Sequence, residues 1–295
     1  MKNKNKSKLS AALLIGLFLL SSCSSGQGSE VLETAEGTAQ AVPTSAPLAA
    51  LVNGEGILLS EYESELQRYQ AAMEQLEQPF NAEKAKEDVL NDLIAQTLFA
   101  QSAAAHNYNY SEADIQSRID QYAEASGGQD ILKTWMAENF YDQESFKTAV
   151  ARELAVVWMR NFLIEQIPQT AEQIHARQIL VDTENEAIAV QRQLEAGTPF
   201  KTLAFQYEPD TGGELGWFPQ GYLLQPDIEY AAFALQPGQY SGIIPTSYGF
   251  HLIEVIEVDP QRTLSQDALL FTQRETLEAW LDTQLSQSTI EILIP

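Results

Sequence analysis

Apolar residues in the first half of the chain recur every three to four positions, the period of a helix with one buried face. Leu66, Tyr69, Met73 and Leu76 form the first such stripe. Ser60 is placed as its N-cap, Glu61 and Glu63 occupy the first turn where the helix dipole favours acids, and Pro79 ends it. Ahead of it, residues 51–57 read as a short extended piece with a turn. A second helix carries Val89, Leu90, Leu93, Ile94 and Leu98 and runs to about His106, which reads as a capping or solvated histidine near a helix C-terminus. Ser111, with Asp114 three residues on, opens a third through Ile115, Ile119 and Tyr122 that Gly127-Gly128 ends. A long fourth helix, from about Gln143 to Ile167, buries Phe146, Val150, Leu154, Val157, Trp158 and Ile164 before Pro168.

At Ile174 the period changes from helical to extended. Ile174–Val181 is a strand, and Glu186–Ala196 a helix ended by Gly197. Pro199 is placed at N1 of a second helix through Phe205, and Gly213–Phe218 is a short strand. Asp227 is read as the cap of a helix with Ile228, Ala231, Ala232, Phe233 and Leu235, stopped by Pro237-Gly238. Ser241–Pro245 and His251–Val258 supply two more strands around the turn at Thr246–Gly249. The order is β-α-α-β-α-β-β. Leu270, Leu277, Trp280, Leu281 and Leu285 then form a last helical stripe that needs a partner.

Charge and composition change the picture at the N-terminus. The 295 residues carry 41 acids against 17 Lys and Arg, a net charge of −24. Residues 1–22 hold Lys2, Lys4, Lys6 and Lys8 and no acids, so 13 − 41 leaves −28 on the remainder. A body that acidic repels phosphate backbones, which excludes a nucleic-acid function. The lysines, the apolar run Ala11–Leu20 and Ser21-Ser22-Cys23 read as a signal peptide over 1–22, too short to span a bilayer. Leu20-Ser21-Ser22-Cys23 also resembles the bacterial lipobox, which implies that Cys23 is lipidated and anchors the protein to a membrane on the extracytoplasmic side. Residues 24–50 are mostly Ser, Gly, Thr, Ala, Pro and Glu without apolar periodicity, so 23–50 reads as the lipidated cysteine and its flexible tether. One cysteine excludes an internal disulfide and a thiolate zinc cage, and three separated histidines lack the spacing of a metal site.

Four segments carry a family resemblance: Ile179-Leu180-Val181, Gly212–Phe218, Ala231–Gly238 and Tyr248–Ile253. In that order and spacing they resemble the parvulin (rotamase) domain of peptidyl-prolyl isomerases, over residues 172–259. The helical flanks are similar to exported parvulin foldases of the SurA and PrsA kind. The resemblance implies an α+β architecture: a helical chaperone-like domain over 51–171 and a four-stranded antiparallel parvulin sheet inserted at 172–259. It also implies that the C-terminal helix within 260–295 packs back on the N-terminal helices.

Site residues follow only from that resemblance. The family places a histidine before Ile-Leu-Val on the first strand, where this chain has Gln178, and His175 does not replace it because positions three apart face opposite ways. The last-strand histidine is His251. For the acid or cysteine of the loop after the second helix, Asp210 is the nearest position and Glu208 its rival. The proline pocket maps to Leu224, Ile228 and Phe233, with Thr246 and Trp217 beside it. The implied activity is cis-trans isomerisation of X–Pro bonds in unfolded or partly folded exported polypeptides, which needs no cofactor. Asp182, Glu184 and Glu186 stand where phosphate-selective parvulins carry basic residues, so unmodified chains are the expected substrates. The alternative is a non-catalytic holding chaperone whose parvulin site has degenerated. A solute-binding lipoprotein would need repeated β-α-β patterning, which the helical run to Pro168 does not offer. Oligomeric state and clients are left open.

Overall fold

A computed structural model describes residues 46–223 and 225–294, so the expected signal peptide, Cys23 and most of the expected tether lie outside the described residues, as does Leu224. The chain divides into two compact units, one ending at Phe162 and completed by residues 279–295, the other running from Leu163 to Glu278.

The first unit opens with the hairpin β1 (Leu48–Val52) and β2 (Glu55–Leu58). Its turn places Asn53 and Gly54 at φ 53° and 85°, the left-handed pair that a two-residue hairpin loop requires. The hairpin passes directly into α1 (Leu59–Gln75), so Ser60 lies inside the helix and Leu58 precedes it without a side-chain cap. The helix also ends before Pro79, with Glu77 at φ 55° and Leu76 left 60% exposed. Asn81 caps α2 (Ala82–Ala105) by accepting from the N–H groups of Glu83 and Lys84. His106 closes that helix, its Nδ1 2.8 Å from the Ser102 carbonyl. Ser111 and Asp114 form a reciprocal capping box on α3 (Glu112–Ser126), which Gly127 ends at φ 97°.

Two elements of this unit are absent from the sequence reading. A short helix, α4 (Gln129–Glu138), follows Gly127-Gly128 directly, and α5 (Gln143–Glu165) comes only after it. At the far end of the chain, β7 (Ile290–Ile292) joins β1 on the side away from β2 and completes a three-stranded antiparallel sheet, β2-β1-β7. One core of the unit gathers Ala50, Val52, Ile57, Leu90, Leu93 and Leu98, with Leu281, Ile290 and Ile294 packed against it. Trp280 packs tilted against Phe99, ring centroids 4.3 Å apart.

The second unit is built on β3 (Thr170–Val181) and β6 (Gly249–Thr263), long antiparallel neighbours. They stand inside the order β4-β3-β6-β5, with β4 at Glu214–Pro219 and β5 at Ile244–Thr246. Helices α6 (Glu184–Glu195) and α7 (Phe200–Tyr207) cover one face, on Ile179, Val181 and Leu252. The short α8 (Pro226–Phe233) covers the other, on Ile174, Ala176, Phe218, Ile253 and Val255. Pro199 precedes α7 as its N-cap rather than standing at N1; Pro226 takes N1 of α8, which puts Asp227 in the first turn and not at the cap. The expected bounds of 172 and 259 are exceeded on both sides, because β3 and β6 go on pairing as far as Thr170 opposite Thr263. The last helix, α9 (Gln266–Gln287), is shared: its residues up to Glu278 group with the sheet unit and those from Ala279 with the helical unit. Its apolar stripe is covered unevenly, with Leu270 55% and Leu285 38% exposed.

Candidate active site

On the face of the sheet that carries α8, residues 174, 176 and 178 of β3 alternate with buried positions of β6. Leu180 is opposite His251 and Gln178 opposite Ile253, so Gln178 and His251 are diagonal neighbours on that face. Their side chains meet, with His251 Nδ1 2.9 Å from Gln178 Oε1. On the other side of the ring, Nε2 is 3.0 Å from Thr246 Oγ1. The amide oxygen faces Nδ1, and the threonine hydroxyl, which also donates to the Gly249 carbonyl at 3.2 Å, faces Nε2. Thr246 is itself fixed at the edge strand, where its hydroxyl accepts from the Tyr248 N–H at 3.1 Å. Burial holds the His251 pKa below the ordinary histidine value, and the Glu208 carboxylate opposes that shift. His251 is 2% exposed, so its ring is a neutral, doubly hydrogen-bonded strut.

The loop after α7 runs alongside. Gln178 donates its backbone N–H to the Gly213 carbonyl at 2.8 Å. A Cβ on Gly213, which has φ 70°, would lie 1.9 Å from the Gln178 carbonyl oxygen, so only glycine lets the loop pass this close. Asp210 is exposed in this loop and makes no hydrogen bond or ion pair among the described residues. Glu208, which accepts the Thr211 hydroxyl at 3.0 Å, is the carboxylate whose charge reaches His251.

Next to this group the surface is apolar. Ile228 is buried, and Phe233, half-buried, packs edge to face on Phe218 with centroids 6.1 Å apart. Tyr222 and Leu223 rest on the same core. Leu224, assigned to the pocket from the sequence, lies outside the described residues. Trp217 is corrected: Phe218 takes the α8 face, so its neighbour Trp217 points to the opposite one. There it stacks on His175 at 5.3 Å beneath the Arg262 guanidinium, 4.1 Å from the ring centroid. His175 binds Glu214 at 2.8 Å on that face and is remote in role from His251. The sequence reading places Thr246 at the pocket but not as a partner of His251, and misses Glu229, whose buried carboxylate sits among the apolar residues of α8. A charged residue inside an apolar stripe is the signal that marks it.

A profile described as the PPIC-type PPIASE domain matches residues 168–257, and one described as the SurA-like N-terminal domain matches residues 1–160. The foldase protein PrsA of Caldanaerobacter subterraneus subsp. tengcongensis is 30% identical over 241 residues, which covers 73% of this chain and 76% of that protein. The foldase protein PrsA of Geobacillus kaustophilus is 26% identical over 300 residues, covering 98% of this chain and 92% of that one. A crystal structure of the peptidylprolyl isomerase PrsA from Bacillus cereus is 19% identical, covers 83% of this chain and 89% of its own, and superposes with a TM-score of 0.46. With one profile spanning more than half its length and a curated relative at that identity, this chain belongs to the PrsA foldase family, in which a SurA-like helical domain carries a PPIC-type peptidyl-prolyl isomerase domain.

Proposed function

We propose that the chain is a membrane-anchored extracytoplasmic foldase whose parvulin unit isomerises X–Pro bonds in exported, unfolded polypeptides. One observation carries this reading: His251, held between Gln178 and Thr246, shares its face of the sheet with the apolar cluster of Ile228, Phe218 and Phe233. Rotation about an X–Pro amide breaks no covalent bond, and its uncatalysed exchange takes tens to hundreds of seconds. A dry pocket that grips the proline ring and favours the twisted amide lowers that barrier without a nucleophile or general base. Gln178 can accept from His251 as a second histidine would, but cannot carry charge, so its place is that of a positioning residue. Ile228, Phe233 and Leu224 are assigned to the pocket; Thr246 orients the histidine, and Glu208 rather than Asp210 supplies the nearby negative charge.

The full-length protein without its signal sequence should accelerate isomerisation of an unphosphorylated X–Pro peptide above the uncatalysed rate. A phosphoserine–proline version should be turned over at least about tenfold less well, since Asp182, Glu184 and Glu208 repel its phosphate. A wild-type rate equal to the uncatalysed one, unrescued by Gln178→His, would replace this reading with that of a holding chaperone.

Anchoring rests on the order of lysines, apolar run and Ser-Ser-Cys in the first 23 residues. Among the described residues no helix is long and apolar enough to cross a membrane. The wild-type protein should sediment with membranes and yield a diacylated N-terminal Cys23 by mass spectrometry, and Cys23→Ser should lose the lipid. An unmodified mature N-terminus beyond residue 23 would defeat the proposal.

A further inference from the structure

Glu229 stands on α8 immediately after the pocket residue Ile228, with 8% of its surface exposed. Its two carboxylate oxygens are spent on one short stretch of backbone: Oε1 accepts from the Gly221 N–H at 2.6 Å, and Oε2 from the Leu223 N–H at 3.0 Å. Both donors lie in the connection that follows β4, where residues 220–223 belong to no strand. Gly221 turns at φ 87°, and Tyr222 and Leu223 are then laid against the core that includes Phe218, Ile228 and Phe233. A buried carboxylate is costly unless it is paired or fully hydrogen-bonded, and here both of its oxygens are charge-assisted acceptors.

We propose that Glu229 is a positioning residue for the proline site, holding the β4–α8 connection as one wall of the pocket by gripping its backbone at Gly221 and Leu223. The proposal rests on the reading of this surface as the proline-binding site. One side chain fixes two points of the wall two residues apart, so the wall is rigid without a strand or disulfide. Replacing one oxygen by an amide nitrogen leaves an N–H facing an NH2 group, and the grip on one of the two points is lost. A wall made loose weakens binding of the ring in ground state and transition state alike, which raises KM and leaves kcat nearly unchanged.

The test compares the full-length chain with Glu229→Gln and Glu229→Ala. An unphosphorylated X–Pro tetrapeptide is titrated by NMR and assayed for turnover, and amide exchange is followed residue by residue. Glu229→Gln should bind the peptide about tenfold more weakly, as loss of one charge-assisted bond implies, with kcat within about twofold of wild type. Exchange at Gly221 and Leu223 should quicken while that of Ile179 and Leu252 holds. Unchanged peptide binding, exchange that quickens uniformly across the sheet, or loss of the folded sheet unit in both variants would overturn the proposal. Were the wild type to bind the peptide without turning it over, isomerisation would fail and the wall would still be decided by the titration. A wild type that neither binds nor turns over the peptide removes the site and the wall together.

Discussion

Deleting residues 279–295 is expected to unfold the helical unit and leave the sheet unit intact. The deleted segment supplies Trp280 against Phe99, Leu281, Ile290 and Ile294 against the core of Leu90, Leu93 and Leu98, and the whole of β7. Partial burial of four large side chains at roughly 1–2 kcal/mol each is on the order of the entire net stability of a small domain. The unit would also lose the Asn53–Thr289 contacts, in which the backbone N–H of each residue donates to an oxygen of the other. No residue that pairs in the four-stranded sheet is touched. Hydrogen exchange on the truncated chain should show protection lost in α1 and α2 and kept in β3 and β6. Equal protection in both units, or loss in both, would contradict the assignment.

Replacing Phe233 by alanine should cost more activity than restoring the family histidine at Gln178. Phe233 is half-buried and packs edge to face on Phe218, and in the proposed pocket the rest of its ring meets the proline. Losing about 2 kcal/mol of apolar contact corresponds to roughly a thirtyfold fall in kcat/KM. Gln178→His keeps a hydrogen-bonding partner for His251 Nδ1, so activity should stay within about threefold or rise. His251→Ala should lower turnover without abolishing it, because no proton moves in the reaction. The assay is a coupled or NMR-detected isomerisation of an unphosphorylated X–Pro peptide by the four proteins. A Gln178→His loss exceeding that of Phe233→Ala would show that the polar pair, rather than the pocket, lowers the barrier.

Periodicity alone is enough for most of the elements, because each long helix and central strand buries a regular stripe. It fails where burial is slight. Helix α4 buries Leu132 and little else, and Gly127-Gly128, a sound helix stop, reads as the start of a loop. Strand β7 is three residues long and acquires its meaning only from β1, more than 200 positions away. At the site, Gln178 and His251 are legible only through the family resemblance, and strand alternation explains why they share a face. Trp217 is misplaced because Gly216, at φ 73°, interrupts β4 and obscures which of Trp217 and Phe218 points to α8. The choice between Glu208 and Asp210 depends on the path of an irregular loop, and no period encodes that path. Glu229 is marked only as a charge inside an apolar stripe; its partners are backbone groups, which have no signature in the residue letters.

The pairing of Thr170 with Thr263 governs the order in which the molecule can assemble. The sheet unit enters and leaves through adjacent ends of β3 and β6, and all of it is contiguous in the chain. It can therefore form first, as soon as its own residues are available. The helical unit must bring Asn53 to Thr289, 236 positions away, before its own sheet closes. With the intervening unit already folded and its two ends side by side, most of that span no longer counts as free chain, and the entropy of closure falls to that of a much shorter loop. The sheet of the helical unit therefore closes last in a chain made from its N-terminus, because β7 is its final strand.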